Sequence, residues 1–199
     1  MTRVFVTGTD TGVGKTWVSA WLTRSWGAAY WKPVQSGTVE GRDADLVKQV
    51  APDAKIFPSR HEFPDPLSPD QAAARVGVRI DLDDFTLPDH DGPLVVEGAG
   101  GLLVPLDDLT LMADLMQRLG LPLVLVARSG LGTINHTLLS VAEIRRRKLP
   151  FEGVVLVGPE HRENRDAIEH WGGVPVVAQL PPLPDLAALA AHSDTRWRP

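Results

Sequence analysis

The chain has no cysteine among its 199 residues, which excludes disulfides, thiolate metal sites and cysteine nucleophiles. It also lacks a surplus of positive charge: 20 Lys and Arg stand against 25 Asp and Glu, a formal net charge of −5. Nonspecific nucleic-acid binding needs clustered positive charge, so no nucleic-acid partner is expected. No apolar run reaches the roughly 18 residues of a membrane span, and no membrane partner is expected either. The first residues run directly into the apolar stretch Val4 to Val6, which leaves no room for a signal peptide. Cytoplasmic placement is the resulting expectation. Internal repeats and low-complexity segments are also missing.

What is there is a globular composition, with 43% hydrophobic and 23% charged residues. The length predicts one domain over residues 1–199 with a single well-filled core. Val4 to Thr7 reads as a strand, and Trp17, Val18, Ala20, Trp21, Leu22 and Trp26 recur at helical spacing until Gly27. Those tryptophans are expected to pack rather than to stack on a ligand. Ala28 to Trp31 reads as a strand and Asp43 to Val50 as a helix. Five prolines between 52 and 69 predict an irregular loop, of a length that is more often functional than idle. A brief helix over Gln71 to Val76 and a polar connection over 80–91 follow. Strands are predicted at Leu94–Val96, Leu121–Ala127, Gly153–Val157 and Val174–Ala178, and helices at Leu109–Leu119, Thr133–Arg147 and Asn164–Trp171. Arg145-Arg146-Arg147 reads as a solvated helix end. Apolar strands alternating with helices predict an α/β fold, a doubly wound and mostly parallel sheet with helices on both faces.

The first strand runs into Gly8-Thr9-Asp10-Thr11-Gly12-Val13-Gly14-Lys15-Thr16. A strand, a glycine-rich turn and a helix are the context of a phosphate-binding loop. Its backbone N–H groups converge on phosphate oxygens, and the helix N-terminus adds positive partial charge. Lys15 reaches the β- and γ-phosphates in such a loop, and the Thr16 hydroxyl binds magnesium. One irregularity stands out: the usual spacing needs glycine at position 9, and the nearest glycine is Gly8. In the second informative stretch, Leu94 to Gly101, a buried run ends in Glu97 and glycines follow at once. An acid at that strand edge commonly holds or orients the magnesium shell. Ligands of parallel sheets bind beyond the strands' C-terminal ends. Lys15, Thr16, Lys32, Glu97 and Gly130-Leu131-Gly132 all fall on that edge.

In these segments the sequence resembles the dethiobiotin synthetase family along most of its length. The matching stretches stand in family order: Val6 to Thr16, Lys32-Pro33-Val34-Gln35-Ser36-Gly37, Asp43-Ala44, Ser68-Pro69 with Ala72-Ala73, Val96 to Gly101, and Gly132-Thr133-Ile134-Asn135-His136. The extra residue between Gly8 and Gly14 is itself a family feature. The resemblance implies a homodimeric, magnesium-dependent enzyme of biotin synthesis. It closes the ureido ring of dethiobiotin from 7,8-diaminononanoate, CO2 and ATP, through a carbamate and a carbamic-phosphoric anhydride. Lys15 and Lys32 resemble the family's two lysines over the transferred phosphoryl group and the carbamate. Gly12, Val13, Gly14, Trp17, Gly98, Ala99 and Gly100 match its nucleotide-contacting segments, and Pro181, Pro182 and Leu183 resemble the other wall of that pocket. Thr16, Asp43 and Glu97 are similar to its magnesium ligands, a hard oxygen set. Register with Val47 and Val50 favours Asp43 over Asp45. Thr11 and Ser36 match substrate-contacting positions, and the segment around Asn135 resembles the part supplied across the dimer interface to the substrate's carboxylate end. His136 is expected to be structural rather than catalytic.

There are departures. Many family members carry an adenine-reading asparagine just after the fifth strand, where this chain has Val157-Gly158-Pro159. Relaxed base selectivity is the expectation. The C-terminus ends in His192 to Pro199 without a further apolar segment. The rival reading is a switch ATPase of the partitioning or cell-division-positioning type. Those proteins share the fold but carry a signature lysine where this chain has Asp10.

Overall fold

The computed structural model describes residues 2–192. In chain order its elements are β1 (Arg3–Gly8), α1 (Lys15–Trp26), β2 (Ala29–Trp31), β3 (Val34–Gln35), α2 (Asp43–Val50), β4 (Ile56–Phe57), β5 (His61–Glu62) and α3 (Pro69–Arg75). They continue with β6 (Leu94–Gly101), α4 (Met112–Leu119), β7 (Leu123–Arg128), α5 (Thr133–Arg146), β8 (Phe151–Val157), α6 (Arg162–Gly172), β9 (Val176–Leu180) and α7 (Leu186–Ala191). Seven strands form one sheet in the order β4-β2-β6-β1-β7-β8-β9, and every pairing is parallel. β1 and β6, which carry the glycine-rich loop and Glu97, are central neighbours.

Alternation along each strand splits the core in two. Val4, Val6, Val95, Val124 and Val126 pack with α1, α2 and α7 on one face. Phe5, Leu94, Val96, Leu123 and Leu125 pack with α4, α5 and α6 on the other. Strands buried on both faces read as continuous apolar runs, as these do. Helix α1 begins after Gly14 and ends at Gly27, both in the left-handed region at φ 99° and 60°. At Gly27 that conformation closes the helix, since its N–H bonds back to the Arg24 carbonyl. Trp21 and Trp26 are buried against the sheet, as their spacing predicts.

Three features differ from the sequence expectation. The proline-rich stretch 52–69 is not wholly irregular: it contains β4, which joins the main sheet, and β5, which pairs with β3 in a separate two-stranded sheet. Strands of two residues leave no periodicity to read. They exist because their neighbours offer free edges. The helix expected from Leu109 begins at Met112, since Thr110 and Leu109 donate their N–H groups to the Asp107 carboxylate in a tight turn. An unexpected helix, α7, packs on α1 and α2 through buried Leu189, with its Asp185 side chain capping the Ala188 N–H. The expectation for the last residues, 193–199, lies outside the described residues.

Candidate active site

Parallel strands send all their C-terminal ends to one edge, and there the loops after β1, β3 and β6 enclose a crevice of about 1020 Å³. Its floor is the loop before α1. Gly14 adopts φ 99°, and a Cβ there would lie 3.0 Å from Val157 Cγ1, so the close turn requires glycine. Lys15 follows in the first helical turn and is almost fully buried, its Nζ donating to the Asp10 carbonyl at 2.9 Å. Asp10 in turn accepts from the Thr11 N–H at 2.7 Å and pairs with Arg128 at 3.0 Å. That pair is half exposed and adds little stability, on the order of 0–1 kcal/mol.

The centre of the crevice is a knot of charged side chains from four elements. Lys32 sits just past β2 with 5% of its side chain exposed. Its ammonium pairs with the Asp43 carboxylate and with Glu97 Oε1 at 3.1 Å. Glu97 Oε1 also accepts from Thr16 Oγ1 at 3.0 Å, and Glu97 Oε2 from the Tyr30 hydroxyl at 3.0 Å. Gln35 steadies the other acid by accepting from the Asp43 backbone N–H at 3.2 Å. Asp43, not Asp45, is therefore the acid on Lys32. A buried ion pair is costly to break, about 3–5 kcal/mol when one partner is removed, because the other charge is stranded.

Burial and neighbours tune these groups in different directions. Burial pulls Lys15 down to about 8, helped by the like charge of Lys32 and opposed by Glu97, Asp43 and Asp10. Burial pulls on Lys32 as well, but Glu97, Asp43 and the hydrogen bonds to both outweigh it and hold its pKa above the ordinary lysine value. Burial, then the charges of Glu97 and Asp43, pushes the Tyr30 phenol well above its usual range, which keeps it a neutral donor.

The residues singled out by sequence do not all meet. Thr11, Gly12, Gly14, Thr16, Trp17 and Ser36 line the crevice with Lys15, Lys32, Asp43 and Glu97, as do Ala99 and Gly100. Ser36 Oγ is buried without a hydrogen-bond partner. Val13 and Gly98 are buried behind the lining. Pro181, Pro182 and Leu183 follow β9 and are not among the residues that line the crevice. Asn135 and His136 are exposed on α5, near the fully exposed Leu131 that precedes it, and neither lines the crevice of its own chain. Sequence reasoning missed Tyr30 and Gln35. The sole signal for Gln35 was its place between Lys32 and Ser36.

The oxygen set fits a magnesium ion. Glu97 and Asp43 already hold a cation, the Lys32 ammonium, between their carboxylates, and the Thr16 hydroxyl bonds the same Glu97 oxygen, Oε1. Among the described residues no cluster of three or more His, Cys, Asp or Glu gathers. One or two carboxylates completed by phosphate oxygens are the usual way magnesium is held.

A family model described as "AAA domain" matches residues 2–190. The chain is 57% identical over 188 residues to the ATP-dependent dethiobiotin synthetase BioD of Paramagnetospirillum magneticum, covering 94% of this chain and 92% of that protein. It is 47% identical to the enzyme of the same name from Agrobacterium fabrum, covering 96% and 91%. It also matches 39% of the biotin biosynthesis bifunctional protein BioCD of Bordetella avium, at 55% identity over 90% of this chain. Among solved structures it resembles a ParA family ATPase from Chlorobium tepidum, with a TM-score of 0.55 at 12% identity over 96% of this chain and 90% of that one. The cell division ATPase MinD of Pyrococcus furiosus gives 0.55 at 16% over 97% and 89%. Likeness at that level of identity is one of fold alone.

Proposed function

The chain belongs to the ATP-dependent dethiobiotin synthetase family, and from that premise we propose how its crevice does the work. The enzyme closes the ureido ring of dethiobiotin from 7,8-diaminononanoate, CO2 and ATP in biotin synthesis. The observation that carries the residue assignment is the buried knot in which Lys32 lies between Asp43 and Glu97, beside Thr16 and at the mouth of the phosphate loop.

The triphosphate lies along Gly12 to Thr16, whose backbone N–H groups and helix N-terminus favour its charge. Trp17 flanks the loop, Gly98 to Gly100 border it opposite, and Pro181 to Leu183 wall the base. One substrate amine loses a proton and takes up CO2 as a carbamate. Thr11 and Ser36 face the substrate, and the unpartnered Ser36 hydroxyl is free to bond it. A carbamate oxygen attacks the γ-phosphorus and the bond to ADP breaks, giving the carbamic-phosphoric anhydride. The second amine then adds to the carbamate carbon, phosphate leaves, and the nitrogen gives up its proton. Lys15 and Lys32 hold the negative charge that gathers on the phosphoryl oxygens and the carbamate. Positioning and charge neutralisation carry such a step, with little need for a general base. Thr16, Asp43 and Glu97 would hold magnesium, which supplies further neutralisation of the phosphate oxygens.

The active unit is a homodimer in which Asn135 of each subunit reaches the substrate's carboxylate end in the other. The exposure of Asn135 and Leu139 on α5, and of Leu131 just before it, supports that reading. We place the enzyme in the cytoplasm with its ATP. Phosphate release from ATP, measured with and without diaminononanoate and bicarbonate, tests the reaction. Release should need both. Undiminished release without the diamine would point instead to a switch ATPase.

A further inference from the structure

Tyr30 is the one tyrosine in the chain, and it is fully buried at the centre of β2. Its register partner on β6 is Val95, and both lie in the core under α1. Side chains alternate along a strand, so Glu97, two residues beyond Val95, projects from the same face. The phenol therefore extends along the sheet toward the crevice, and its hydroxyl donates to Glu97 Oε2 at 3.0 Å. Phenylalanine would fill the same space. What tyrosine adds is the one hydrogen bond to that oxygen among the described residues.

The rest of the carboxylate makes this contact consequential. The Glu97 side chain is fully buried, and Oε1 takes hydrogen bonds from Thr16 Oγ1 at 3.0 Å and Lys32 Nζ at 3.1 Å. A carboxylate held at one oxygen can still turn about its last bond. Held at both, its plane is fixed and Oε1 stays on the crevice side. We propose that Tyr30 is a positioning residue: its hydroxyl pins Glu97 Oε2 so that Oε1 is presented to the cation site formed with Thr16 and Asp43. This rests on the magnesium assignment above. Tyr30 touches neither nucleotide nor metal and acts only through Glu97. Outer partners of ligating carboxylates commonly matter about 10- to 100-fold in metal affinity.

The test is a double-mutant cycle on the full-length chain, using Tyr30→Phe, Glu97→Gln and the pair together. The readout is the Mn2+ dissociation constant, from electron paramagnetic resonance with a non-hydrolysable ATP analogue. Melting without metal is followed separately, so that lost packing is visible. Tyr30→Phe should weaken Mn2+ about tenfold. On the Glu97→Gln background it should add less than about twofold, because the residue through which it acts has already been changed. A Tyr30→Phe constant within about twofold of wild type, while Glu97→Gln binds weakly, overturns the inference. So do penalties that multiply in the double variant, since Tyr30 would then act through the core at large. An unchanged constant in Glu97→Gln is a different failure: it removes the magnesium assignment itself.

Discussion

In the half of the crevice assigned to the phosphates, Thr16, Lys32, Asp43 and Glu97 interlock through polar contacts, and Lys15 lies nearby on α1, bonded to the Asp10 carbonyl. The base we propose to lie beyond β8 and β9, where Val157, Gly158 and Pro159 stand beside the end of β9 that leads into Pro181 to Leu183. The main chain there is already engaged. Gly158 N–H donates to the Leu180 carbonyl at 2.9 Å, and the Gly158 carbonyl accepts from Gln179 Nε2 at 2.9 Å. Pro159 has no N–H to offer. One half is charged, and we assign it to the part that all nucleoside triphosphates share. The other is apolar and offers little with which to tell one base from another. On this proposal selectivity and turnover are built in separate places, and each can be disturbed alone.

The largest effect belongs to the phosphate half. Lys32→Ala removes a preorganised charge and strands Asp43 and Glu97 beside each other. Turnover should fall roughly 100- to 1000-fold. Steady-state kinetics on a sample shown to be folded decides this, and activity within a few-fold of wild type removes Lys32 from the mechanism.

A third region, the exposed start of α5, contributes nothing to the crevice of its own chain. Asn135→Ala should impair the diamine more than ATP. Mixed with Lys32→Ala subunits, it should restore about a quarter of wild-type turnover, since half of randomly exchanged dimers are heterodimers with one intact composite site each. Well-exchanged mixtures that regain nothing would place each site within a single chain.

Readiness for phosphate has a cost in stability, and it should be confined to the charged half. The Lys15 pKa falls from 10.5 to about 8 in the fold, chiefly through burial. Between those values the unfolded chain binds more protons than the folded one, so stability rises with pH across that window. Below about pH 8 the full penalty applies. Lys15→Met should therefore stabilise the nucleotide-free protein by about 1–3 kcal/mol at pH 7, as read by denaturant unfolding. The gain should vanish above the ordinary lysine pKa. A gain independent of pH would mean that side-chain packing, not charge, is responsible.

The same contrast explains what could be read from sequence. The glycine loop, the apolar strands and the order of the matching segments are local signals, and they placed Lys15, Thr16, Lys32 and Glu97 on one edge. Register along α2 favoured Asp43 over Asp45 as a metal ligand; both line the crevice, and Asp43 is the one that pairs with Lys32. What stayed hidden depends on residues far apart in the chain. Tyr30 reads as one more core aromatic until β2 pairs with β6 and brings its hydroxyl to Glu97. The strands at 56–57 and 61–62 exist only through their partners. Helix α7 is too short to announce itself without Leu189 buried beneath it.

The contrast between the two halves is tested most directly by comparing kcat/KM for ATP, GTP, CTP and UTP at saturating diamine and bicarbonate. A site that hydrogen-bonds a base rejects the wrong one strongly, because polar groups are left unpaired, whereas an apolar slot cannot. GTP or CTP should therefore support turnover within roughly tenfold of ATP, a difference of no more than about 1.4 kcal/mol. A preference for ATP of about a hundredfold or more over every other triphosphate, near 2.7 kcal/mol, would contradict the account and mean that the base half reads adenine after all.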